Sequence, residues 1–169
     1  MRALIVYYSR SGVTEKSCNA IADALRANEG VEVQVEEIVD RTDRGGIRGW
    51  LSGGRSATLK EATEIEPVKA DVASFDLVVI ATPVWAFTCA PAPRAFCEQF
   101  AEHLDTVAFV ATMGGSGDKG AYEAMERYCG VAPVATLTLI DKHVKADSPE
   151  KFIGPVGSFA QTLLEEAGG

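Results

Sequence analysis

The stretch that decides the fold is RALIVYYSRSGVT, residues 2–14. Residues 2–8 are aliphatic, β-branched or aromatic with almost no polar interruption, which is the pattern of a strand buried on both faces. A Ser/Gly turn follows at once. From Val13 the apolar residues fall on one helical face through Ile21, Ala22, Ala24 and Leu25, and Asn28, Glu29 and Gly30 supply a stop. A doubly buried strand, a short loop and a helix together open a βαβ unit.

The alternation continues along the chain. Val31, Val33 and Val35 alternate with Glu32, Gln34 and Glu36, marking a strand with one polar face near a sheet edge. Residues 75–82 (FDLVVIAT) and 106–112 (TVAFVAT) read as further buried strands. Pro83 is expected to break the first of these, and Pro91 and Pro93 precede a helix carrying Phe96 and Phe100. A helix over residues 122–129 leads to a fifth strand, residues 134–140 (VATLTLI). The last helix is expected to start near Ser148 and Pro149 and to carry Phe152, Phe159, Leu163 and Leu164. Strands alternating with helices predict an α/β fold, a three-layer α/β/α sandwich over a five-stranded parallel sheet, with residues 1–169 in one domain. Residues 40–70 depart from this pattern. Gly45, Gly46, Gly49, Gly53 and Gly54 surround Trp50 among Arg41, Arg44, Arg48 and Arg55. Each glycine costs a helix about 1 kcal/mol, so an irregular excursion is expected.

Composition narrows the function. The chain has 169 residues, 47% hydrophobic, with a net charge of -8. A chain this long buries roughly 70% of its unfolded surface, enough for a core without metal or disulfide. The negative charge, with no Lys/Arg stripe to offset it, argues against nucleic acid and membrane surfaces and for a basic protein partner. The N-terminus lacks a signal-peptide cleavage pattern, and no run of about 18 apolar residues is present, so a cytoplasmic location is expected. Cys18, Cys89, Cys97 and Cys129 have no metal-ligand spacing and read as buried thiols. His103 and His143 lie in charged, solvated surroundings and read as surface residues.

In a doubly wound sheet, ligands sit beyond the carboxyl ends of the strands, so the loops after the first, third and fourth strands carry the site. The first, Ser9-Arg10-Ser11-Gly12-Val13-Thr14, sets three hydroxyls and backbone N–H groups at a helix start, which suits a phosphate monoester. It lacks the Walker ending and the spacing of dinucleotide-binding glycines. A phosphatase would want a nucleophilic Cys or Asp within it, and it has neither. The second loop, TPVWAFTCAPAP over residues 82–93, sets Trp85 and Phe87 beyond the strand, where a flat ring could stack. The third, Thr112-Met113-Gly114-Gly115-Ser116-Gly117, offers backbone N–H groups to a ligand edge.

SRSGVT resembles the Ser/Thr-x-Ser/Thr-Gly-x-Thr phosphate loop of the flavodoxin family, and TPVWAFTCAPAP resembles the Thr-Pro-Val-Trp-Ala-Gly run of a small flavodoxin-like subgroup, with Phe87 in place of the glycine. Gly117-Asp118 and Tyr122 resemble the family's Gly-Asp followed by a stacking Tyr, with one extra residue between. The resemblance implies a sheet of order 2-1-3-4-5 and non-covalent FMN. It puts the phosphate at Ser9, Arg10, Ser11, Gly12, Val13 and Thr14, and the ring between Pro83, Val84, Trp85, Ala86, Phe87 and residues 112–117. No side-chain acid or base is required of a carrier that passes electrons between redox partner proteins. The alternative is an NAD(P)H-dependent FMN or quinone reductase on the same fold, with the arginines of residues 41–55 receiving the dinucleotide phosphates.

Overall fold

The computed structural model describes residues 1–41 and 63–167. β1 (Arg2–Tyr7) leads into α1 (Val13–Arg26), and β2 (Glu32–Glu37) follows. A short 3-10 turn, Val72–Ser74, precedes β3 (Leu77–Trp85), which folds back into the two-residue β4 (Thr88–Cys89). Then come α2 (Pro91–Phe100), β5 (Val107–Met113), α3 (Asp118–Cys129), β6 (Ala135–Ile140) and α4 (Asp141–Lys145). A π-helical turn, Pro149–Ile153, opens the last helix, α5 (Gly154–Ala167).

Five strands pair in parallel in the order β2-β1-β3-β5-β6, and β4 lies antiparallel on the end of β3. Strand side chains alternate between faces. Ala3, Ile5, Leu77, Val79, Ala108, Val110 and Leu139 therefore pack on α1 and α5, while Leu4, Val6, Val78, Ile80, Val107 and Phe109 pack on the side of α2 and α3. The result is the expected three-layer sandwich.

The edge strand β2 is polar on its outer side, which discourages pairing with another chain. The Glu36 carboxylate accepts the backbone N–H groups of Lys69 (2.6 Å) and Ala70 (3.0 Å). Nearby, Asp40 bridges Ile65 in antiparallel fashion, the Arg41 N–H donates to Glu64 (2.8 Å), the Glu66 N–H donates to Val39 (2.9 Å), and the Thr63 hydroxyl donates to Asp40 (2.9 Å). Gly45, Gly46, Gly49, Gly53, Gly54, Trp50, Arg44, Arg48 and Arg55 lie outside the described residues.

Two local expectations need correction. Pro83 does not end β3, because the strand runs on to Trp85 and Pro83 stands opposite Thr112 of β5. In a parallel sheet successive residues bond to opposite neighbours. Val78 donates to the β5 side and Ala81 accepts from Tyr8 on the β1 side, so the missing N–H of Pro83 faces the side where β1 has already ended. The last helix starts at Ser148 and Pro149 as expected, its first turn being π-helical with the Ser148 hydroxyl accepting the Lys151 N–H (3.3 Å), and it becomes α-helical at Gly154. The helix expected over 122–129 begins four residues earlier, at Asp118.

All four cysteines are free and buried. Burial pushes the Cys89 thiol from 9.0 to about 11, with Cys18 and Cys97 raised in the same direction, and it pushes the phenols of Tyr7 and Tyr122 from 10.0 to about 12. The neutral forms are favoured in the folded state, so this contribution is complete below pH 9 and is lost as the unfolded thiols and phenols ionise at higher pH. The midpoint of urea denaturation is expected to fall between pH 9 and 11. Under native conditions at pH 8 the thiols should resist iodoacetamide, and four should react in urea.

Candidate functional site

Three segments leave the carboxyl edge of the sheet side by side: the loop after β1, the β3–β4 hairpin and the loop after β5. Between them lies a cavity of about 340 Å³. The first segment lines it with Arg10, Ser11, Val13 and Thr14, the second with Pro83, Val84 and Trp85, and the third with Thr112, Met113 and Gly114. Ten of the residues singled out in the three loops thus share one cavity. Ser9, Gly12, Ala86, Phe87, Gly115, Ser116 and Gly117 are not among its lining residues.

The first loop has features that suit an anion. Gly12 caps α1 with φ 79°, a left-handed conformation that glycine adopts at no steric cost, and no side chain caps the helix. The carbonyl of Gly12 takes the Lys16 N–H (3.0 Å), which leaves the preceding first-turn N–H groups without an intrahelical acceptor. They belong, with the positive end of the helix dipole, to the same loop and first turn whose Arg10, Ser11, Val13 and Thr14 line the cavity. The Ser9 hydroxyl oxygen is buried and has no hydrogen-bond partner among the described residues. Leaving such a group unpaired costs about 1–3 kcal/mol, so a ligand oxygen at this place would recover it. The Thr14 hydroxyl is buried and lies 2.8 Å from that of Thr112.

The second segment is a tight hairpin. Trp85 pairs with Thr88, and the two intervening residues, Ala86 (φ 47°) and Phe87 (φ 65°), both have positive φ. Such a turn usually takes Asn-Gly, so Ala-Phe here carries backbone strain. Three contacts hold it. The Thr82 hydroxyl accepts the Ala90 N–H (2.9 Å) and donates to the Pro83 carbonyl (2.9 Å). Trp85 meets Tyr8 edge to face, with ring centres 5.6 Å apart. The third contact is the seat of the hairpin on α3, where a Cβ on Gly117 would come within 2.8 Å of Val84 and one on Gly120 would overlap the Phe87 carbonyl. Phe87 itself is 70% exposed.

Tyr122 is engaged elsewhere. Its ring stacks on Phe109 (6.5 Å between centres), and its hydroxyl lies 2.9 Å from that of Thr138. Thr138 gives its one hydrogen to Asp118 (2.8 Å), so Tyr122 is the donor to Thr138. Asp141 was not singled out from the sequence, yet it lines the cavity from the end of β6. Its position directly after the strand run VATLTLI was the available signal, by the strand-end rule. Among the described lining residues it is the one carboxylate, suited to hydroxyl donors and unsuited to a second anion. Anion donors on one wall, an acceptor nearby and an indole on another wall fit a ligand with a phosphate, hydroxyl groups and a flat ring.

The hairpin seat can be tested directly. Gly120→Ala should destabilise the fold by about 1–3 kcal/mol through overpacking. Replacing Ala86-Phe87 with Asn-Gly should stabilise it by about 1 kcal/mol through relief of strain. Urea denaturation of the two variants beside the parent gives both values.

No helix among the described residues is long and apolar enough to cross a membrane. No curated protein matches the chain. Among solved structures it is similar to a Lactobacillus acidophilus flavoprotein in complex with FMN, at 21% identity and TM-score 0.67, covering 86% of this chain and 97% of that one. It is also similar to two-electron reduced Megasphaera elsdenii flavodoxin, at 18% identity and TM-score 0.59, covering 94% and 98%. A third similarity is to RosB with a bound 8-demethyl-8-formylriboflavin-5'-phosphate intermediate, at 16% identity and TM-score 0.63, covering 99% and 81%. At these identities the structures establish a shared fold. The sequence also matches the family described as flavodoxin over residues 2–154, and the chain belongs to that family.

Proposed function

We propose that this chain binds FMN non-covalently and carries electrons between redox partner proteins. The observation that carries the reading is the cavity that joins an uncapped helix start to the indole of Trp85, with the unpartnered Ser9 hydroxyl next in the chain to the lining Arg10. FMN matches its chemistry group by group, with a phosphate for the first loop, a polyol for the neighbourhood of Asp141 and a flat ring for Trp85. FMN is also the ligand named with the similar Lactobacillus acidophilus protein.

In this reading Ser9, Arg10, Ser11, Gly12, Val13 and Thr14 hold the phosphate. Pro83, Val84, Trp85, Ala86, Phe87 and the backbone of residues 112–117 flank the ring, while the Thr112 side chain is turned to Thr14. The flavin, when bound, supplies the one- and two-electron chemistry. The protein would bind and orient it, with Trp85 at the start of the hairpin available to the ring. The whole chain acts as one unit in the cytoplasm, and its net charge of -8 steers a basic partner toward it. The alternative, an NAD(P)H-dependent reductase, rests on the arginines of residues 41–55, of which only Arg41 lies in the described region.

Purified protein should be yellow or should quench the fluorescence of added FMN, and a colourless protein that leaves FMN fluorescence unchanged would sink the reading. The double variant Ser11→Ala/Thr14→Ala removes two hydrogen bonds to a charged group, so it should weaken FMN by at least about 100-fold and riboflavin far less. Stopped-flow mixing with NADH and NADPH separates carrier from reductase: slow reduction supports the carrier, and fast reduction followed by turnover on a quinone supports the reductase. Electron transfer to a basic partner should slow as salt rises.

A further inference from the structure

We infer that Thr112 is a positioning residue for anion recognition, acting through Thr14 by fixing the direction of that residue's hydroxyl hydrogen. This rests on the phosphate reading of the first loop.

The bond between the two hydroxyls joins residues 98 apart in the chain, at 2.8 Å, and it is buried. Each of the two residues is 2% exposed. Alternation along β5 explains how they meet. Ala108 and Val110 point to the α1 face of the sheet, so Thr112, two residues further, points there too and reaches the second residue of α1. Neither hydroxyl has another hydrogen-bond partner among the described residues.

Each hydroxyl has one hydrogen, and the bond consumes one of the two. If Thr14 donates, its hydrogen is spent on Thr112 and only lone pairs face the cavity, which repel an anion. If Thr112 donates, the Thr14 hydrogen is free to point at the ligand, and the donated bond polarises that hydroxyl and strengthens it as a donor. An anion at the helix start selects the second arrangement. The pair has two settings of opposite sense, and Thr112 permits the one that binds phosphate. Both residues line the cavity, but in this assignment Thr14 touches the phosphate and Thr112 does not.

The test is a double-mutant cycle read by FMN and riboflavin affinity, from flavin fluorescence quenching, with Thr112→Ser as the conservative control. Thr112→Val should weaken FMN by about 3- to 10-fold, the usual worth of one net hydrogen bond, and leave riboflavin within about 2-fold. Thr112→Ser should restore FMN affinity. In a Thr14→Val background, Thr112→Val should add nothing, because the hydroxyl it orients is gone.

Additive losses in the cycle would mean that Thr112 meets the phosphate itself, and they would overturn the proposal. Equal losses of FMN and riboflavin in Thr112→Val would reveal a merely structural role and overturn it as well, as would an unchanged FMN affinity. If the parent binds FMN no more tightly than riboflavin, the phosphate reading fails and takes the proposal with it. A clear preference for FMN combined with an additive cycle removes the proposal alone.

Discussion

Everything in this molecule depends on the parallel sense of its sheet. Parallel strands need a crossover between each pair, and the crossovers cover both faces with helices. That requirement fills the core on two sides and brings every strand's carboxyl end to one edge. There the loops after β1, β3 and β5 come together although they lie far apart in the chain. The site is a by-product of strand direction, and the residues at the loop starts refine it. α1 then adds its unpaired N–H groups, a local positive end within a protein of strongly negative net charge. The two facts do not conflict, because the dipole acts within the first turn and the net charge acts at the distance of an approaching partner.

What could be read from the sequence follows from which signals are local. Residues 3–8 are aliphatic or aromatic at every position, so β1 was visible without knowledge of its neighbours, and the Ser/Gly loop after it was visible as a helix start. The fate of Pro83 was not visible, because the cost of a missing N–H depends on whether another strand still runs beside it, and that is a property of the sheet. The hairpin at Ala86-Phe87 was hidden for a different reason. Its two residues carry no turn signal, and the glycines that make room for it, Gly117 and Gly120, lie about one strand and one helix away in the chain. The Thr14–Thr112 bond needed both the strand order and the parity of β5.

The hairpin and the first loop represent opposite solutions to a common problem. Gly12 lets the chain turn cheaply and leaves the loop open, with no atom close to where its Cβ would be. Ala86 and Phe87 turn at a cost, and the surrounding contacts keep them turned: Thr82 below, Tyr8 beside, and the glycine seat on α3. One wall of the cavity is therefore set by backbone freedom and the other by packing. Changes in α3 reach the hairpin wall of the cavity through Gly117 and Gly120, while the first-loop wall meets β5 through the Thr14–Thr112 bond.

The knot of bonds at the end of β2 carries an architectural consequence. Asp40 and Ile65 bridge, Arg41 and Val39 exchange backbone bonds with Glu64 and Glu66, and Glu36 fastens residues 69 and 70, so the chain that leaves the sheet at residue 41 is tied to the chain that returns at residue 63. This stem brings the two ends together on its own account. Doubling the length of chain hung from such a closed base costs only about 0.6 kcal/mol in closure entropy. The stem thus sets residue 41 beside residue 63 by itself, and a connection of different length or sequence could be joined to it without shifting the register of any strand.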